Sequence, residues 1–189
     1  MNLRLPILVF DIETLTDLKA GAHLYHLDMP EADVEQALSK IRRQESGMDF
    51  QRLALHEIVC ISGLWIDEKG MRLFSFSREQ YSEAEILSKF LSIFDKKQPT
   101  LVSWNGSQFD LPVILFRAMY HGLSAPSLFD QGEIDQQKRF NNYQNRYHHR
   151  HVDLMDVMAM FNGRHFQKLD DIACLLGFPG KRGESGYHV

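Results

Sequence analysis

Apolar and polar positions alternate along the chain in blocks of strand and helix length. The opening run "PILVFDIE" is apolar up to its first acid, which predicts a strand over 6–13 buried on both faces. Residues 14–29 show no period and read as irregular. Val34, Leu38 and Ile41 recur at helical spacing and predict a helix over 31–45, ended by Ser46 and Gly47. "HEIVCISGLWID" (56–67) and "MRLFSFS" (71–77) are β-rich and separated by "EKG", the pattern of a hairpin. Ile86, Phe90 and Ile93 mark a helix from Ser82, where Ser82 and Glu85 match a capping box. "TLVSWNG" (100–106) reads as a strand. "FDLPVILFRAMYHG" begins a helix in which Asp110 is placed to cap, Pro112 falls in the first turn and Gly122 ends the segment. Residues 124–150 are polar and loop-like. "HVDLMDVMAMF" reads as a short strand passing into a helix, and 168–181 as a further helix stopped by Gly177 and Pro179.

Strands alternating with helices, plus one hairpin, predict an α/β fold: a mixed sheet with helices on both faces. Sites in such sheets gather at strand ends and the loops beyond them. The length of 189 residues suits a single domain over 1–189, and 44% apolar residues are ample for its core. No run approaches a membrane span, and the N-terminus lacks a signal-peptide pattern. Cys60 and Cys174 read as buried free thiols of a cytoplasmic protein, because two distant cysteines make no disulfide framework. A net charge of −4 argues against a broad nonspecific grip on nucleic acid and leaves a local basic patch open.

The chemistry begins at the first strand. Asp11 and Glu13 share one face, roughly 7 Å apart at ~3.3 Å per residue. Two hard oxygen donors on a rigid platform suit Mg²⁺ or Mn²⁺, although a strand end emerging into solvent explains such a pair equally well. In "WNGSQFDLP" another acid, Asp110, follows a strand, with Asn105 and Phe109 beside it. An amide can hydrogen-bond a base or sugar and a phenyl ring can stack on a base.

Together "FDIET" and "WNGSQFDLP" resemble the first two motifs of the DEDD-superfamily 3′–5′ exonucleases, which have a ribonuclease-H-like fold. The Asn-x-x-x-Phe-Asp-x-Pro form is similar to that of the proofreading domain of family-B DNA polymerases. Within that group the chain looks most like the stand-alone bacterial predicted exonucleases related to it. The resemblance implies metal-dependent hydrolysis of terminal phosphodiesters of single-stranded or frayed DNA to nucleoside 5′-monophosphates. Two ions, Mg²⁺ or Mn²⁺, would be held by Asp11, Glu13 and Asp110. Thr14, Leu15, Asn105 and Phe109 would hold the 3′ end. RNA is the alternative substrate, since a 2′-hydroxyl acceptor can be a single side chain.

The family pattern also needs a fourth acid in a Tyr-x-x-x-Asp or His-x-x-x-x-Asp motif on a helix after 168–177. Neither Tyr187 nor His188 is followed by one, and Asp170 and Asp171 come too early. The expectation is a domain lacking its C-terminal motif-III helix. The rival is an inactive nucleic-acid-binding module.

Weaker signals lie between 136 and 151, where Lys138, Arg139, Arg146 and Arg150 interleave with Phe140, Tyr143 and Tyr147. Basic groups beside aromatics suit single-stranded nucleic acid, with Arg146 and Tyr147 as the expected contacts; a solvated loop is the alternative. His148, His149 and His151 read as surface histidines rather than a zinc site. His56 reads as structural, Asp49 and Glu57 as surface acids, and Asp153 and Asp156 as strand-end or capping acids outside the metal set.

Overall fold

The computed structural model of the protein describes residues 3–179. Five strands form one sheet in the order β3-β2-β1-β4-β5. β1 (Ile7–Thr16) is central, antiparallel to β2 (His56–Asp67) and parallel to β4 (Thr100–Ser103). β2 pairs antiparallel with β3 (Gly70–Ser77), and β4 parallel with β5 (His151–Asp153). The predicted hairpin and mixed sheet are both present.

Leu8, Phe10 and Ile12 point from β1 into the main core, with Ile58 and Ile61 of β2. Two helices cover that face: α3 (Glu83–Lys97), through Ile86, Phe90 and Phe94, and α4 (Asp110–Tyr120), through Val113 and Ile114. The capping box at Ser82 and Glu85 forms as read from the sequence. α6 (Leu154–Met158) contacts β4 and β5 on the other face, burying Met155. That second face is open over the hairpin, where Met71 is 70% and Leu73 is 83% exposed. β1 is therefore not buried on both faces: Val9 is half-buried and Asp11 exposed.

Several expectations need correction. Residues 14–29 are not irregular: β1 runs on to Thr16, and α1 (Leu18–Leu24) starts where the Asp17 carboxylate accepts the Ala20 N–H at 2.8 Å. α2 (Glu31–Ser46) ends at Gly47 in the left-handed region, as expected. The loop-like 124–150 contains a short helix, α5 (Pro126–Phe129), and a 3-10 turn over Gln136–Arg139. α7 (Leu169–Leu175) is shorter than the 168–181 predicted. Cys60 is half-buried, with its Sγ against the hydroxyls of Ser62 and Ser75, and Cys174 is exposed. Among the described residues no helix is long and apolar enough to cross a membrane. Tyr187 and His188 lie outside the described residues.

Arg117 joins the layers. It is 2% exposed on α4; its Nη1 donates to Asp17 at 2.8 Å, and its Nε and Nη2 donate to Glu83 at 2.8 and 2.5 Å. Glu83 also accepts the Ile58 N–H at 2.7 Å, so β1's end, α3's start, β2 and α4 meet at one cation.

His151 is buried rather than at the surface, because β5, the edge strand beside β4, turns its ring in toward Ser103. Its Nε2 is hydrogen-bonded to Ser103 Oγ at 2.8 Å. Burial lowers its pKa from 6.5 to about 4, against the pull of Asp153 and Asp156. The folded protein thus keeps His151 neutral where the unfolded chain takes up a proton. Its contribution to stability is present above pH 6.5 and lost as pH falls through 4. In urea titrations, the stability advantage of wild type over His151→Gln shrinks across this window, by on the order of 2–3 kcal/mol. An unchanged difference from pH 7 to 4 would contradict the assignment.

Candidate active site

The acids meet at the C-terminal end of β1. Asp11 lies opposite Ser62 and Glu13 opposite Cys60, both on the open face of the sheet. The register then slips between Glu13 and Thr14, a bulge that bends the strand where its polar residues emerge. Asp110 comes to this point from the other side. It is the first residue of α4, not its cap; Phe109 holds the cap position.

Asp110 is only 3% exposed, and its Oδ1 is buried without a hydrogen-bond partner. Burial, then the nearby charge of Asp11, pushes its pKa up to about 7, with Asp153 adding a smaller push. The backbone N–H groups of Asp110 and Ile12 pull the other way. A buried carboxylate with an open oxygen beside a second carboxylate is unstable by itself and suited to a hard cation. Oxygen donors fit Mg²⁺ or Mn²⁺ better than softer metals. Among the described residues, no group of three or more His, Cys, Asp or Glu gathers closely enough to hold a metal ion. The structure brings Asp11 and Asp110 together, with Glu13 on the same face of β1 but outside a three-ligand set.

The turn from β4 to α4 is held by Asp153. One of its oxygens accepts the Asn105 N–H at 2.8 Å, and the other accepts the Ser107 N–H at 3.0 Å and the Ser107 hydroxyl. Asn105 adopts φ 67°, a left-handed conformation that asparagine tolerates. Gly106 is required next to it, since a Cβ there would collide with Ser103. Asp153 is thus a strand-end acid, as read from the sequence, and its hydrogen bonds hold the turn beside the site.

Thr14 Oγ1 is hydrogen-bonded to His56 Nδ1 at 3.0 Å. His56 is buried, and burial lowers its pKa, which leaves the ring neutral. It stands edge-on to Phe109 at 5.2 Å. Leu15 is half-buried opposite Glu57. Part of the 136–151 stretch turns inward, while Arg139, Phe140, Arg146, Tyr147 and His149 are exposed. Lys138 is buried against Asp130 and the Ser127 carbonyl, and the Tyr143 hydroxyl donates to Pro99 O at 2.7 Å. Arg150 donates to Gln98 O at 2.9 Å. Arg146 is committed to Asp156, at 2.6 and 3.1 Å, and faces Phe161; Tyr147 is 64% exposed and packs on the same ring. Sequence reasoning missed the organising role of Asp153, for which the only signal was an acid between a short strand and a helix.

Residues 48–189 match the model of a family described as predicted 3′–5′ exonucleases related to the exonuclease domain of PolB. No curated protein matches the chain. The solved structures that share the fold include the following two. One is the family B DNA polymerase of the hyperthermophilic archaeon Pyrobaculum calidifontis, with TM-score 0.54 and 16% identity over 100% of this chain and 20% of the polymerase. The other is product-bound exonuclease I, with TM-score 0.53 and 12% identity over 94% of this chain and 39% of that enzyme. The chain therefore spans well under half of either.

The raised pKa of Asp110 has a thermodynamic sign. Its contribution is full below the unfolded value of 3.8 and is lost as pH rises through 7, because folding then buries a charge. At pH 8 in EDTA, Asp110→Asn is expected to be more stable than wild type by on the order of a few kcal/mol in urea unfolding. Added Mg²⁺ or Mn²⁺ raises the stability of wild type and not of the variant. A variant less stable than wild type under these conditions would refute the buried-charge account.

Proposed function

This chain belongs to the family of predicted 3′–5′ exonucleases related to the exonuclease domain of PolB, and from that premise we propose that it hydrolyses terminal phosphodiesters of single-stranded or frayed DNA. The carrying observation is Asp110, buried with an open Oδ1 beside Asp11 at the end of the central strand. Asp11 and Asp110, which lie together, would hold Mg²⁺ or Mn²⁺, and Glu13 would turn in from the same face of β1 to join them. Such ions, when bound, offset the phosphate charge and lower the pKa of water.

The chain's own residues supply position. Asp153 holds the Asn105 backbone in the left-handed turn, and the Asn105 amide would make the base or sugar contact. Thr14 and Phe109 flank the acids on adjoining residues, one on each element. In the reaction, a water oxygen bonds to the terminal phosphorus as the bond to the 3′ oxygen breaks. The water proton goes to solvent or the leaving oxygen, and a nucleoside 5′-monophosphate is released. A second reading, a nucleic-acid-binding module without turnover, draws support from one observation: the described residues gather no three-acid group.

Incubation with single-stranded, blunt and 3′-recessed DNA and with RNA, in Mg²⁺ or Mn²⁺, separates these readings. Mononucleotide release from single-stranded DNA is expected. Asp11→Ala and Asp110→Ala each lower the rate by roughly 10²-fold or more, the size of losing one preorganised electrostatic group. Absence of mononucleotide, or full activity in Asp11→Ala, would sink the nuclease reading. Release from RNA alone would move the substrate assignment to RNA.

A further inference from the structure

The connection between α2 and β2 is unusually well tied for a surface segment. Asp49 accepts from Arg43 Nη2 at 2.7 Å and from Ser39 Oγ at 3.0 Å. Arg42 Nε donates to the Phe50 carbonyl at 2.8 Å, and Arg52 Nη2 donates to Glu45 at 2.9 Å. Gln51 is buried. Exposed ion pairs add little to stability one by one, yet together they fix the backbone on both sides of Phe50. That fixed backbone presents an apolar ring that is 52% exposed.

One side of the Phe50 ring is packed. It lies 4.8 Å from His56 and 5.7 Å from Phe109, centre to centre. His56 in turn touches Phe109 and is hydrogen-bonded to Thr14. Phe109 adjoins Asp110, and Thr14 adjoins Glu13. The three rings therefore form a wall beside the acids, and Phe50 is its most exposed member.

We propose that Phe50, carried by this clamped connection, is a specificity-determining residue whose exposed ring stacks on the 3′-terminal nucleobase of a single strand. The assignment rests on the nuclease reading above for the identity of the strand. A ring held in place before binding loses little freedom on contact, which favours stacking over a mobile side chain. Every base has a π-face, so the contact selects an unpaired base without selecting its sequence. The Phe50 ring has no group with which to read the sugar, so DNA and RNA ends are stacked alike.

The test measures binding of the full chain to an oligonucleotide whose last linkage is a phosphorothioate, to block cleavage. Its 3′-terminal nucleotide is 2-aminopurine or an abasic analogue, in deoxyribose and ribose forms. Phe50→Ala and Phe50→Leu are expected to weaken binding of the 2-aminopurine end roughly tenfold and to relieve its fluorescence quenching, while Phe50→Trp keeps both. Binding of the abasic end is expected to be the same in all four proteins. Equal weakening for abasic and base-bearing ends would show a merely structural role and overturn the proposal, as would no weakening at all. A loss confined to one sugar would place the contact on the sugar and also overturn it. Nucleotide release from an ordinary phosphodiester is scored separately. Turnover without base-dependent loss defeats this assignment alone, whereas base-dependent binding without turnover supports it and defeats the nuclease reading.

Discussion

The site depends on one buried guanidinium. α4 carries Asp110 at its start and Arg117 two turns later. The Arg117 side chain is clamped between Asp17, just beyond β1, and Glu83, at the start of α3. A buried ion pair is a weak source of net stability, because desolvation opposes the attraction. Its value is geometric. Two carboxylates from different elements accept from a planar fork, so α4 has one rotation and one height against β1. Asp110 is thereby delivered to the side of β1 from which Asp11 emerges. The carboxylate could not stay buried there by its own energetics, and Arg117 is too committed to neutralise it.

The other half of the positioning comes from the strand ends. β1 carries its acids on the open face only because Leu8, Phe10 and Ile12 hold the opposite face in the core. The bulge after Glu13 then turns Thr14 toward His56. On the neighbouring rail, Asp153 spends both oxygens on the turn holding Asn105, and Gly106 allows that turn to close over Ser103. Each acid near the cleft thus has its own task. Asp153 is satisfied by N–H and O–H donors and Asp156 by Arg146, and among the carboxylates of the described residues only Asp110 keeps a buried oxygen open.

Much of this was legible because it is local. The apolar run of β1, the hairpin, the capping box of α3 and the periodic face of α4 are each dictated within about ten residues, and the structure contains all four. The parts that escaped are decided across the chain. Asp17 starts a helix only because Leu55 and Arg117 hold it, so 14–29 showed no period of its own. Lys138 and Tyr143 read as surface groups for binding. The partners that draw them inward, Asp130 with Ser127 and Pro99, are 8 to 44 residues away. His151 sat in a cluster of histidines, and only the pairing of β5 with β4 shows which of the three is enclosed. At the candidate site, the family resemblance named the acids to look for, whereas the inequality between Asp110 and its neighbours needed burial.

The distribution of paired arginines bears on how a strand would be held. Arg43, Arg52 and Arg146 each face a carboxylate, and Arg117 faces two. A net charge of −4 argues against a broad nonspecific grip along a phosphate backbone. Binding that relied on many phosphate contacts would need free cations along a groove. Around β1 the chain instead offers carboxylates suited to a divalent cation and a wall of rings, Phe50, His56 and Phe109. On the proposed reading, such a surface would grip the terminal nucleotide rather than the length of the strand. Charge would enter with the cation at the phosphate, and affinity for the end would come from the face of an unpaired base. A duplex end hides that face in its stack, so discrimination between frayed and paired termini would follow from the same wall.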